Sequence, residues 1–187
     1  VVIDCGCFSK EEGERLKKFL SENQLKPVAL LDTHLHIDHI FGNNFMLDEY
    51  GLSARAHEAD SFWVEDAEKY AAMLGMRGIT PPPALGEYLK DGDTVKFGHS
   101  ELKVIHVPGH SPGGLCFYAE KDKLLIAGDV LFQGSIGRAD LPGGDMHQLL
   151  KGIREKLFVL PDDVRVVPGH GGFTSIGEEK RMNPFFQ

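Results

Sequence analysis

The sequence predicts an α/β fold in which sheets carry helices on their outer faces. Three observations lead there. Strand-length apolar runs alternate with segments of helical spacing along the chain. Polar residues of metal-ligand type follow several of those runs and sit beside turn glycines, as in Gly109-His110, Gly128-Asp129 and Gly169-His170. The length, 187 residues with 42% hydrophobic and 26% charged, suits one globular domain with a substantial core.

Taken in order, Val1-Val2-Ile3 reads as the middle or end of a strand. Ser9-Lys10-Glu11-Glu12 is a capping box, and Leu16, Phe19 and Leu20 recur at helical spacing until Pro27 stops the segment. Residues 27–31 have the length and composition of a strand, so His34, His36, Asp38 and His39 fall at its carboxyl end. Phe62, Trp63, Ala67, Tyr70, Ala71 and Leu74 describe an amphipathic helix, ended by Gly75, Gly78 and the run Pro81-Pro82-Pro83. Core packing accounts for it, with a lid or substrate wall as the alternative. Residues 88–90 and 94–97 read as paired strands around the turn Asp91-Gly92-Asp93. Strands over 102–107, 115–118 and 124–127 follow, then a helix over 146–158 and a strand over 164–167. Ser175 to Glu178 caps a closing helix that ends before Pro184.

Composition narrows the function. A formal charge of −8 argues against a nucleic-acid groove, which draws on clustered Lys and Arg. No apolar run of about 18 residues and no basic segment before a shorter one is visible, so neither a membrane span nor a signal peptide is read. Cys5, Cys7 and Cys116 form no disulfide framework and fit a reducing, cytoplasmic compartment. Cys5-Gly6-Cys7 follows a strand and contains a turn glycine, which favours structural thiols over a metal or redox pair.

The stretch THLHIDH, 33–39, crowds three imidazoles and a carboxylate into six positions. Such side chains repel when protonated and need partners when buried, so their packing alone stabilises little. A bound cation satisfies their lone pairs at once. A His-rich polar loop is the bland alternative. His34, His36, Asp38, His39, His110, Asp129 and His170 make seven potential ligands from four separate segments, enough for two metals that share a bridging group. A closed structural zinc site is disfavoured, because those sites are four-coordinate and often use Cys.

The string H-x-H-x-D-H at 34–39, followed by His110, Asp129 and His170, resembles the metallo-β-lactamase fold superfamily. Gly42-Asn43, PGHSPGG at 108–114, GDVLFQGSIGR at 128–138, PGHG at 168–171 and the tail IGEEKRMNPFF are similar to its glyoxalase II-like, compact bacterial branch. The resemblance implies a four-layer αββα sandwich, a single domain over 1–187 whose first N-terminal strands are missing from this sequence. It also lacks the C-terminal helical domain with which glyoxalase II helps hold glutathione. By resemblance His34, His36 and His110 hold one metal, Asp38, His39 and His170 a second, and Asp129 bridges. Asp38 and Asp129 belong to the catalytic set, and two Zn(II) ions per chain are implied, with Fe or Mn as alternatives. The implied activity is hydrolysis of a small-molecule thioester, such as a hydroxyacylglutathione, by a metal-bound hydroxide. A mononuclear Fe(II) persulfide dioxygenase using His34, His110 and Asp129 is the alternative, as is a hydrolase of another ester or amide.

Other residues have smaller claims. Arg138 is read as a structural ion pair before a substrate contact. Thr33 and Asp32 are candidates for orienting an imidazole, Asp32 equally for a solvated strand end. His57, His99, His106 and His147 lack partners at ligand spacing and read as surface or packed imidazoles.

Overall fold

The computed structural model describes residues 1–187, which divide into two compact units, residues 1–88 and 89–187. The first unit opens with strand β1 (Val2–Ile3), helix α1 (Lys10–Glu22) and strand β2 (Leu30–Leu31). Its remaining elements are the short helix α2 (Ile37–Ile40), α3 (Asn43–Tyr50), β3 (Ala54–Arg55), α4 (Ser61–Glu65) and α5 (Ala67–Met73). The three strands form a parallel sheet in the order β1-β2-β3. Parallel strands need crossovers, and α1 and α2–α3 supply them.

Helix α1 begins where the capping box requires, with Ser9 accepting from Glu12 N and the Glu12 carboxylate accepting from Ser9 N. It ends at Glu22, ahead of Pro27. The core beneath it gathers Cys5, Leu30, Met46 and Ala54, with Leu16 and Phe45 packed against them. The amphipathic segment expected over 62–74 is two helices, α4 and α5, interrupted at Asp66. Trp63, Ala67 and Ala71 face inward, while Leu74 is exposed.

The second unit holds β4 (Thr94–Phe97), β5 (Ser100–His106), β6 (Leu115–Ala119), β7 (Leu124–Gly128), β10 (Arg165–Pro168) and β11 (Thr174–Ser175). They form one six-stranded sheet in the order β11-β10-β7-β6-β5-β4. Residues 88–90 are not a strand; β4 pairs instead with β5, Thr94 opposite Lys103 through Phe97 opposite Ser100. The β4–β5 turn is therefore Gly98-His99, and Asp91-Gly92 is the approach to it. Between β7 and β10 lie the hairpin β8 (Leu131–Phe132) and β9 (Ser135–Ile136) and the helix α6 (Met146–Gly152), which continues as a π-helical turn, Ile153–Leu157. The closing helix α7 (Ile176–Met182) is capped by Ser175, which accepts from Glu178 N. Tyr118, Leu125, Leu131, Leu149, Ile153, Leu157, Val166 and Ile176 are among the buried core of this unit, so α6 and α7 cover the sheet as the apolar spacing requires.

Strand direction decides what gathers at one edge. β5 is antiparallel to β6 and β6 to β7, so β5 and β7 point the same way; β10 is parallel to β7. The carboxyl ends of β5, β7 and β10 thus share one edge, the edge at which such sheets hold ligands.

Candidate metal centre

In the first unit, the backbone leaves β2 at Leu31 and enters α2 at Ile37, with His36 as the extended residue before the helix. His34 and His36 lie on the extended part, whereas Asp38 and His39 ride a helical turn that the sequence pattern did not foretell. The rings come together: His34 and His36 centroids are 4.6 Å apart at 88°, and His34 and His39 are 4.1 Å apart. The three imidazoles are buried and Asp38 is exposed, its Oδ2 3.7 Å from His39 Nε2.

Asp4 organises this cluster, and nothing in the motif pointed to it. It follows β1 in the left-handed region, φ 52°, which Asp tolerates better than most side chains. Its carboxylate accepts from Thr33 N at 2.6 Å and Thr33 Oγ1 at 2.7 Å, and lies 3.0 Å from His39 Nδ1. The proton positions follow. A carboxylate only accepts, so His39 donates Nδ1–H to Asp4. Thr33 has given its one hydroxyl proton to Asp4, so at its 3.1 Å contact with His34 Nδ1 it accepts.

Thr33 thus takes the orienting role, and Asp32 does not. Asp32 is fully buried and accepts from Asn43 Nδ2 at 2.8 Å. Burial, and the neighbouring charge of Asp4, push its carboxyl well above the ordinary range. It is no solvated strand end. Asp60, buried in the turn before α4, accepts from Leu35 N at 3.2 Å and ties that turn to the loop between the two histidines. Cys5 is buried and its thiol is pushed up to about 12, chiefly by desolvation; Cys7 is shifted the same way. Both are free thiols held neutral, which suits packing rather than ligation.

In the second unit, His110 follows β5, Asp129 follows β7 and His170 follows β10. Pro168 registers with Gly128, and Gly169 N donates to Gly128 O at 2.8 Å, so the two parallel strands deliver Asp129 and His170 side by side. Asp129 Oδ2 lies 3.6 Å from His170 Nε2 and 3.6 Å from His110 Nε2. His110 Nδ1 donates to the Arg138 carbonyl at 2.7 Å, which leaves Nε2 facing the carboxylate. Two glycines make this possible. A Cβ on Gly137 would fall 1.9 Å from Asp129 O, and one on Gly109, φ 133°, would fall 2.4 Å from Leu149 N. The backbones must touch at both points for His110 to meet Asp129.

The Arg138 side chain forms a two-pronged pair with Asp140, both contacts 2.7 Å, holding the Asp140 carboxyl down to about 2. Its carbonyl, rather than its charge, serves the site. His106 Nε2 binds the Pro112 carbonyl at 2.8 Å and His57 Nδ1 accepts from Ala59 N, so both are occupied structurally, as their spacing indicated. A buried carboxylate the sequence had not singled out, Glu179 on α7, accepts from Thr174 Oγ1, Asn183 Nδ2 and Gly134 N at 2.6, 2.7 and 3.0 Å. It pins the β8–β9 turn, through which the chain passes from Asp129 to Arg138.

The donor set fits a divalent metal. Ligand atoms about 2.0–2.2 Å from one ion lie about 3–4 Å apart, the spacing found around Asp129 and between Asp38 and His39. Three imidazoles have Nδ1 committed to Thr33, Asp4 or a carbonyl, the outer arrangement that fixes metal-ligating histidines.

Comparison with known proteins agrees. Residues 1–170 match the family model of the metallo-beta-lactamase superfamily. The hydroxyacylglutathione hydrolase GloC of Haemophilus influenzae is 37% identical over 175 residues, 93% of this chain and 82% of that protein. Among solved structures, BLEG-1 B3 metallo-beta-lactamase superposes with a TM-score of 0.88 at 38% identity, covering 98% of this chain and 87% of the other. TTHA1623 in a di-iron-bound form does so with a TM-score of 0.87 at 37% identity and the same coverage. No helix is long and apolar enough to cross a membrane. With the α/β architecture, the ligand motif and these matches in hand, the chain belongs to the metallo-β-lactamase superfamily of metallo-hydrolases.

Proposed function

We propose that the protein hydrolyses a small-molecule thioester, of the hydroxyacylglutathione type, at a dinuclear centre. The observation that carries the proposal is the position of Asp129: one carboxylate oxygen lies 3.6 Å from each of two imidazole Nε2 atoms, in the loops that follow two different strands, as a shared ligand would. His34, His36 and His110 are assigned to one ion and Asp38, His39 and His170 to the other, with Asp129 common to both. Such a pair of divalent cations would supply an ionised water near neutral pH and would polarise a carbonyl.

The chain's own residues do the rest. Asp4, Thr33 and the Arg138 carbonyl engage Nδ1 of His39, His34 and His110 and so orient the rings for ligation through Nε2. Thioesters suit the site because a thiolate leaves without prior protonation, and no strong general acid is among the clustered residues. Similarity to GloC supports the hydroxyacyl thioester class. Three free thiols fit a reducing compartment, and we place the enzyme in the cytoplasm, with no nucleic-acid partner, given its charge of −8.

The resident metal has two readings. An N/O donor set without thiolate accepts zinc, iron or manganese. Zinc is the leading assignment; similarity to the di-iron form of TTHA1623 favours iron as the second. Metal analysis of protein purified without added metal, with a panel of thioesters, lactams, phosphodiesters and a glutathione persulfide, tests both at once. Hydrolysis of a hydroxyacyl thioester that disappears on chelation and returns with metal is the expected result. Undiminished hydrolysis in the metal-stripped protein would overturn the proposal, and oxygen uptake on the persulfide with one iron per chain would establish the alternative.

A further inference from the structure

Trp63 is the sole tryptophan of the chain and sits on α4, 6% exposed. Its indole meets the His36 imidazole edge to face, ring centroids 4.5 Å apart at 88°. Tyr70 and Phe62 pack on it at 4.2 and 5.1 Å, so the indole is held from behind by α5 and by its own neighbour. The same segment is fastened to the ligand loop a second time, through Asp60 and Leu35 N. One property of this indole does not serve stability: Nε1 is buried and has no hydrogen-bond partner. A buried donor without an acceptor opposes folding.

We propose that Trp63 is a positioning residue of the metal centre, which acts on His36 through the contact between the two rings. A flat ring at 88° to the imidazole restricts rotation about the His36 side chain, as a hydrogen bond to the second nitrogen does elsewhere. Preordering the ligand raises metal affinity by removing rotamer freedom that binding would otherwise have to take away. The inference rests on the dinuclear reading, and its test separates the two.

Co(II) titration of metal-stripped protein, followed by visible absorption, is compared for wild type, Trp63→Phe and Trp63→Leu. Trp63→Leu stays apolar but loses the ring and much of its volume; its Co(II) affinity falls about 10- to 100-fold, with altered visible bands, and the metal-free protein melts at a lower temperature because of the cavity left behind. Trp63→Phe retains the edge-to-face contact and stays within about threefold of wild type. A Trp63→Leu protein that binds Co(II) like wild type overturns the inference and leaves the metal centre standing. Wild type that takes up no Co(II) removes both. Should Trp63→Leu fail to fold, the wild-type indole itself reports: its fluorescence shifts with the first equivalents of Zn(II), and emission that ignores Zn(II) binding overturns the inference.

Discussion

Asp4 and His39, 35 residues apart in the chain, meet through Asp4 Oδ2 and His39 Nδ1 at 3.0 Å. The same carboxylate oxygen accepts from Thr33 Oγ1, which in turn touches His34. One side chain at the end of β1 therefore sets the proton positions of two proposed ligands. Replacing Asp4 with Asn keeps a residue that tolerates φ 52° and removes the charge that holds His39 Nδ1–H. Metal affinity, measured by competition with a chromogenic chelator, falls by about 10- to 100-fold while the fold is retained. Unchanged affinity would show that Asp4 serves only the backbone.

Asp129→Ala removes the carboxylate shared between His110 and His170. Both ions are weakened together, so metal content drops below one per chain and thioester hydrolysis falls on the order of 10³-fold. Loss of one ion with the other intact, read by metal analysis, would show that Asp129 does not bridge.

Gly137→Ala places a methyl group 1.9 Å from Asp129 O, a contact that backbone movement must relieve. The Arg138 carbonyl then leaves His110 Nδ1. Melting of the metal-free protein should show a loss of about 2–4 kcal/mol, with metal affinity reduced as well.

Glu179→Ala leaves Thr174 Oγ1, Asn183 Nδ2 and Gly134 N without their acceptor inside a buried site. Denaturant unfolding should report a loss of about 2–4 kcal/mol. Because the effect runs through the β8–β9 turn, metal affinity changes less than for Asp4→Asn.

Asp32 gives a pH signature to the metal-free protein. Its carboxyl is raised by burial, so the folded state binds its proton more tightly than the unfolded state does. That contribution is complete below the unfolded pKa of about 3.9 and is lost as pH rises through the raised folded value. Within that window wild-type stability falls by about 1.4 kcal/mol per pH unit relative to Asp32→Asn, which lacks the proton. Parallel stability-against-pH curves for the two proteins would show that Asp32 does not titrate there.

The candidate ligands were legible because metal chemistry restricts residue type. His34, His36, Asp38, His39, His110, Asp129 and His170 are few, clustered or glycine-flanked, and each follows an apolar run, so spacing alone marked them. The capping boxes at Ser9 and Ser175 were equally local, since a cap is written within four residues. The residues that orient the ligands carry no such mark. Asp4, the Arg138 carbonyl, Asp60 and Trp63 act through chain positions 25 to 35 residues from the loops they steady, or through a backbone atom that any residue possesses.

Local signals also misled where pairing is not local. Residues 88–90 have strand composition, yet β4 pairs forward with β5 across Gly98-His99, because a tight turn and a matching alternation lay on that side. What the sequence alone determined, then, is the chemistry available: which side chains can bind a cation, and the apolar runs that carry them to strand ends. Tertiary structure decided their aim. Strand order brings Asp129 beside His170, and close backbone contact at Gly137 turns His110 toward Asp129. Both depend on contacts between distant segments, whose geometry no local pattern encodes.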